Sequence, residues 1–183
     1  MNVLKKGVKM EKGKNTIEEL NKFRIDCMYG KKKHSNARDR VATYNRNMGI
    51  AIVVLTAIMG TSVYFALSKS DILLAQIIVG IFILLNAILV ALQTYLKFEK
   101  QALRHKVTAD RYLCLMKEAQ RLLAYYKDGN KTLDEVQKEL ERMYQEVKDI
   151  QKDEPETSQG DYQKARDGVE NDEEVYSVKE KRT

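Results

Sequence analysis

The sequence predicts an all-α membrane protein: a two-transmembrane helical hairpin with long cytoplasmic helical extensions. Three observations predict it. Residues 48–67 form a run of 20 without a charge, about 30 Å of helix and so the thickness of the bilayer hydrocarbon. Residues 72–96 form a second uncharged run of 25. Between them lie only Ser68, Lys69, Ser70 and Asp71, a connection that returns the second span antiparallel beside the first. A buried hairpin of a soluble protein is the alternative, but its core helices seldom hold 18 or more apolar residues unbroken. A cleaved signal sequence has a shorter apolar stretch close to the start, whereas 47 residues precede this one.

Charge sets the orientation. Residues 1–46 carry 13 Lys+Arg against 5 Asp+Glu, and residues 97–127 carry 8 against 3. The loop at 68–71 has one of each. Basic flanks stay on the cytoplasmic side, so both termini are expected inside, with Lys69 and Asp71 on the outer face. Residues 128–183 are acidic, with 10 basic and 17 acidic side chains. The net charge of +6 is therefore a topology signal that brackets the bilayer, and direct nucleic-acid binding is not expected. Cys27 and Cys114 fall in cytoplasmic segments, where thiols stay reduced.

The elements follow in order. Residues 1–15, rich in Lys and Gly, are expected to be a flexible basic N-terminus. Residues 16–47 form a cytoplasmic juxtamembrane helix or helices: Thr16 and Glu19 have capping-box spacing, and Ile17, Leu20, Phe23 and Cys27 share one side. A break is expected near Gly30, after which Ala37, Val41, Tyr44 and Met48 lead into transmembrane helix 1 at 48–67. The extracytoplasmic loop is 68–71 and transmembrane helix 2 is 72–96. Its cytoplasmic continuation, 97–128, carries Phe98, Ala102, His105, Ala109, Tyr112, Met116, Ala119, Leu123 and Tyr126 at alternating four and three spacing, the seam of a packed helix. With no Gly or Pro between Ile81 and Asp128, one uninterrupted helix of about 45–50 residues is expected to cross the membrane and project inward. Gly129 supplies its C-terminal cap. Thr132 and Glu135 then start an amphipathic helix over 132–151, with Leu133, Val136, Leu140, Met143, Val147 and Ile150 on its apolar side. These coiled-coil-like seams pair within one chain or between chains. The acidic tail, 152–183, is expected to be disordered, since it holds few aliphatic residues.

No catalytic constellation, cofactor motif or metal-ligand spacing stands out, and an enzyme is not expected. His34 and His105 are remote in sequence and unspaced to either cysteine. His105 reads as a hydrogen-bonded packing residue ahead of a pH-sensitive element, because no carboxylate partner is identifiable. In the second span Gln76, Gly80, Ala87 and Thr94 project to one side, with Asn86 and Gln93 on its flank. In the first, Thr56 and Gly60, beside Ala57 and Thr61, are small residues one turn apart. These polar and small positions serve either as contacts that hold helices together or, in an oligomer, as the lining of a water-filled path. Neither span holds an ionisable side chain, which counts against an ion-coupled transporter.

The stretch Ala42-Thr43-Tyr44-Asn45-Arg46 before the first span resembles the approach to the membrane in SLATT domains, the two-transmembrane effector domains of bacterial conflict systems. So do residues 92–100, Leu103-Arg104-His105-Lys106 and Ala109-Asp110-Arg111-Tyr112 after the second. The resemblance covers about residues 16–150. It implies a multi-pass protein of the bacterial inner membrane that oligomerises and permeabilises that membrane in antiviral defence. The signal comes from a separate sensor, nucleotidyltransferase or reverse transcriptase, since no sensor domain is fused here. Abortive infection is the implied outcome. The alternative is a non-conducting scaffold or receptor subunit that recruits a cytoplasmic partner through residues 98–150, and a housekeeping ligand-gated channel is a third reading.

Overall fold

The computed structural model describes the backbone of residues 2–68 and 73–171, and the side chains at 14–61, 73, 74 and 76–171. The expected loop at 68–71, apart from Ser68, and the tail beyond Asn171 lie outside the described residues. Five helices are described: α1 (Asn2–Ser68), α2 (Leu73–Leu96), α3 (Phe98–Lys127), α4 (Leu133–Asp153) and α5 (Gln159–Glu170). No described residue forms a strand. The chain divides into two compact units, one built from residues 1–37 and 104–183 and the other from 38–103.

The first unit is a helical bundle. Its apolar core takes Leu20, Phe23 and Cys27 from α1, Tyr112, Leu115, Ala119 and Leu122 from α3, and Val136, Leu140, Met143 and Ile150 from α4. The seams of α3 and α4 are therefore satisfied within one chain, with α1 as the third partner. The α3 register centres on Leu115 and Leu122, with Met116 and Leu123 partly buried beside them. Thr132 caps α4 through the expected capping box with Glu135, and Gly129 sits at φ 74 in the turn that follows α3, a conformation natural to glycine. Arg142 on α4 pairs with Glu118 on α3 and with Glu139 and Glu146 on its own helix. All are solvent-facing, so they contribute little beside the apolar core.

Four expectations are corrected here. Residues 2–15 continue α1 rather than forming a loose terminus, as good helix formers such as Lys allow. Thr16 consequently caps nothing; its hydroxyl accepts from Gln137 of α4. Gly30 does not break the helix. A Cβ at Gly30 would lie 2.8 Å from the Tyr112 ring, so the glycine is there to admit a close neighbour. Finally, the 152–183 segment is not disordered throughout. Ser158 and Asp161 form a capping box that starts α5, and Asp161, Ala165 and Gly168 are buried.

The second unit holds the hairpin, α1 from residue 38 onward and α2. Both candidate spans are long and apolar enough to cross a membrane, and almost none of their apolar windows is buried inside the protein. That exposure separates them from the core helices of a soluble protein. The expected uninterrupted helix from the second span into the cytoplasmic segment is also corrected, because Lys97 adopts φ 47 and ends α2 at Leu96. The carbonyl of Leu96, released from the helical ladder, accepts the Gln101 side-chain amide at 2.7 Å, while Gln101 N–H bonds to Lys97 O at 3.1 Å. A side chain thus replaces the missing backbone donor.

Gly30→Ala separates packing from helix propensity. Propensity alone favours alanine in a helix interior by about 0.8–1 kcal/mol, whereas forcing a methyl against a pinned ring costs about 1–3 kcal/mol. The expected result is a lower unfolding temperature of the full-length protein in detergent; an unchanged or raised value would contradict the close approach.

Candidate functional site

In the hairpin, the polar residues divide by what they touch. Asn86 Nδ2 donates to Thr56 Oγ1 at 3.1 Å, and the Thr56 hydroxyl donates in turn to the Ile52 carbonyl at 2.7 Å. Gln93 Nε2 donates to Asn45 Oδ1 at 3.2 Å and packs over Gly49. Three of the candidate positions, Thr56, Asn86 and Gln93, therefore join the two arms of the hairpin. The partner at Asn45 was not expected; its spacing of eleven residues from Thr56, three helical turns, was the available signal. Thr94 returns its hydroxyl to the Val90 carbonyl at 2.9 Å. Gln76 and Gly80 are exposed, and beyond the glycine's own helix backbone no atom of the described residues lies within 4 Å of a Cβ built at Gly60 or Gly80. Asn86 Oδ1 is buried without a hydrogen-bond partner among the described residues.

The bundle unit holds a polar cluster that sequence reasoning missed in part. Pro155 confines the residue before it to extended backbone, so α4 stops and Glu154 sits at its C-terminal boundary with φ −66 and ψ 137. Its carboxylate gathers three donors. Tyr112 Oη donates at 2.8 Å from α3, while Lys33 Nζ and His34 Nε2 of α1 lie 3.2 Å from its two oxygens. His34 is fully buried, stacks on the Tyr112 ring with 13° between planes, and places its Nδ1 3.1 Å from Nδ1 of His105. The sequence-predicted seam thus brings His105, Ala109 and Tyr112 into the interior, with Phe98, Ala102, Met116 and Leu123 partly exposed. His34 and Glu154 were the missed members. The four-residue step from Gly30 to His34 on one face of α1, and the Glu-Pro dipeptide, were the signals.

The electrostatics follow from burial. Desolvation lowers the pKa of His34 from its ordinary value, and the Lys33 charge acts in the same direction against the opposing pull of Glu154. Burial pushes Glu154 upward, but the Tyr112 hydroxyl, Lys33 and His34 outweigh it and hold the carboxylate below its usual range. Burial, with the Glu154 contact, raises Tyr112. The Cys27 thiol is pushed up to about 12 by burial and then by Asp26, so it is protonated and inert at neutral pH. Beside the cluster a cavity of about 750 Å³ opens between the helices, with Tyr29, Tyr112, Tyr144, Tyr162, Lys33 and Lys148 on its walls. No described set of three or more His, Cys, Asp or Glu side chains has the geometry to hold a metal.

Two outcomes are expected from substitutions. Tyr112→Phe removes a hydrogen bond to a carboxylate, an effect of about 1.5–3 kcal/mol, and should lower the unfolding temperature far more than Tyr125→Phe at an exposed position. In the hairpin, a double-mutant cycle of Thr56→Val and Asn86→Leu, followed by denaturant unfolding in micelles, should give a coupling of about 0.6 kcal/mol, the usual value between membrane helices. A coupling of zero would remove the Asn86–Thr56 contact from the account.

No curated protein and no solved structure matches the chain. A family model does, over residues 18–181, and it therefore covers the bundle and the hairpin alike. Two exposed apolar helices are what its description of a two-transmembrane domain leads one to expect, and the membrane assignment rests on both. The chain belongs to the SMODS and SLOG-associating 2TM effector domain family 4, two-transmembrane effector domains of conflict and defence systems.

Proposed function

We propose that this protein is a pore-forming effector of antiviral defence. It resides in the bacterial inner membrane with both termini in the cytoplasm, as the basic flanks of the spans suggest. Copies of the chain assemble and permeabilise the membrane, ending infection by arresting the infected cell. A separate protein, such as a sensor, nucleotidyltransferase or reverse transcriptase, provides the signal. The protein acts by conductance and carries out no reaction of its own.

The observation that carries this reading is the unequal use of the polar and small residues of the hairpin. Thr56, Asn86 and Gln93 bond across the two arms, but Gln76, Gly80 and Gly60 face outward from the single chain. Two helices cannot enclose water, and glycines at an exposed helix face allow close approach by a neighbour. An amide facing hydrocarbon alone is costly, so Gln76 is better placed toward another copy or toward water. The absence of any charge in either run fits a passive path better than a proton-coupled one.

A non-conducting scaffold is the second reading, favoured by the open tyrosine-walled cavity in the bundle, a concavity of the size that ligands or partner side chains fill. Liposomes separate the two. Purified protein reconstituted with its genetic neighbours should release a small encapsulated dye, and Gly80→Leu or Gly60→Leu should cut release at least tenfold while leaving the monomer folded. In cells, phage challenge should collapse membrane potential. Tight vesicles and an unchanged potential under challenge would sink the pore and leave the scaffold.

A further inference from the structure

We infer that His34 and His105 form a proton-operated latch that keeps the bundle unit closed when the pair carries no more than one excess proton and releases it when a second is added. The inference goes beyond the pore reading and does not depend on whether the hairpin conducts.

The argument begins with hydrogen positions. His34 Nε2 faces the Glu154 carboxylate at 3.2 Å, and that carboxylate is held ionised by Tyr112 and Lys33. A carboxylate accepts only, so His34 Nε2 must carry the hydrogen. The neutral His34 ring then has a bare Nδ1. Nδ1 of His105 lies 3.1 Å from it, a contact that is favourable with one hydrogen between the nitrogens and repulsive with none or two. His105 is therefore the Nδ1–H donor. The two rings adopt opposite tautomers, each fixed by the next group in the chain from Glu154 to His34 to His105.

The same chain dictates how the pair titrates. A first added proton leaves one hydrogen between the two Nδ1 atoms, so the contact survives. A second puts a hydrogen on both nitrogens, so that two N–H groups point at each other and two cations stand 3.1 Å apart in a site from which water is excluded. The pair thus titrates in two coupled steps. Every element packed at this point contributes a charged or titratable neighbour: Lys33 on α1, Arg104 and Tyr112 on α3, Glu154 at the end of α4 and Asp161 on α5. Glu154 and Asp161 favour a cation at His34, but Lys33 and burial oppose it, and neither carboxylate relieves the N–H to N–H conflict.

Acid therefore opens the bundle at this point. In the closed form His34 binds its proton more weakly than in the open form, where the ring returns to its ordinary value of about 6.5. Stability is intact above about pH 6.5 and declines as pH falls below it, until the closed form itself takes up the proton. What separates is the boundary of α4 and α5 from α1, because His34, Lys33 and Asn36 are the α1 residues that hold Glu154 and Asp161 there.

The chain contains only two histidines, so full-length protein without a histidine tag, labelled with 15N at histidine and held in detergent micelles, reports on these rings alone. At pH 7.5 the spectrum should show one Nε2–H and one Nδ1–H tautomer, and titration should show two steps more than one pH unit apart. Hydrogen exchange of residues 104–112 and 150–162, corrected for the intrinsic effect of pH, should accelerate about tenfold between pH 7.5 and 5.5. His105→Asn keeps a donor near the Nδ1 position and can turn its amide oxygen to a protonated His34, so the acceleration should largely vanish. Matching tautomers, or two independent titrations near pH 6.5, would overturn the latch, as would an undiminished exchange step in His105→Asn. If that variant does not fold, the tautomers and titration of the unaltered chain decide the matter.

Discussion

The carboxylate of Glu154 is the point on which the bundle unit converges. It stands at the end of α4, where Pro155 forbids another turn, and receives a tyrosine hydroxyl from α3 and a lysine and a histidine from α1. Apolar burial brings these helices together without direction, because leucine and methionine tolerate sliding by a turn at modest cost. A partly buried carboxylate with three donors does not. It specifies one register, and removal of its partners would leave a partly buried charge without its hydrogen bonds. The close seat of Tyr112 on Gly30 and the stacking of His34 on the same ring add steric precision to that electrostatic choice.

The two units solve opposite problems with similar side chains. In the bundle, buried polar side chains are few and most of them gather near Glu154, while water solvates the many charged groups outside. In the hairpin, lipid cannot satisfy an amide or hydroxyl, so Asn86, Thr56, Gln93 and Asn45 pair across the arms and the hydroxyls of Thr56, Thr61 and Thr94 return to backbone carbonyls one turn earlier. Hydrophobic burial cannot drive association between helices already surrounded by hydrocarbon. Interhelical hydrogen bonds and close packing take its place.

Much of this was legible in the sequence where the signal is local. Charge-free runs of 20 and 25 residues identify membrane spans with little ambiguity, and Thr132, Glu135 and Gly129 mark their helix boundaries through short-range chemistry. The heptad-like spacing in α3 and α4 was readable too, though only contact with α1 shifts the deepest positions to Leu115 and Leu122. What escaped depends on distant residues. Gly30 looks like a helix breaker until Tyr112 is seen against it. His105 lacks a visible carboxylate partner because the link to Glu154 passes through His34, 71 residues away in sequence. The Ser158 capping box was in plain view, but an acidic composition argued against any helix there, and only the buried faces of Ala165 and Gly168 explain why one persists.

The left-handed residue at Lys97 matters most for phase. A regular helix advances 100° per residue, so a side chain's compass direction in α2 would ordinarily fix the direction of every residue in α3. One residue outside that advance cancels the relation. The periodicity of α2 therefore ends at Leu96, and that of α3 starts afresh at Phe98. Rotation of α2 about its axis need not pass through Lys97 undiminished, and Gln101, bound to the Leu96 carbonyl, is the side chain that bridges the joint.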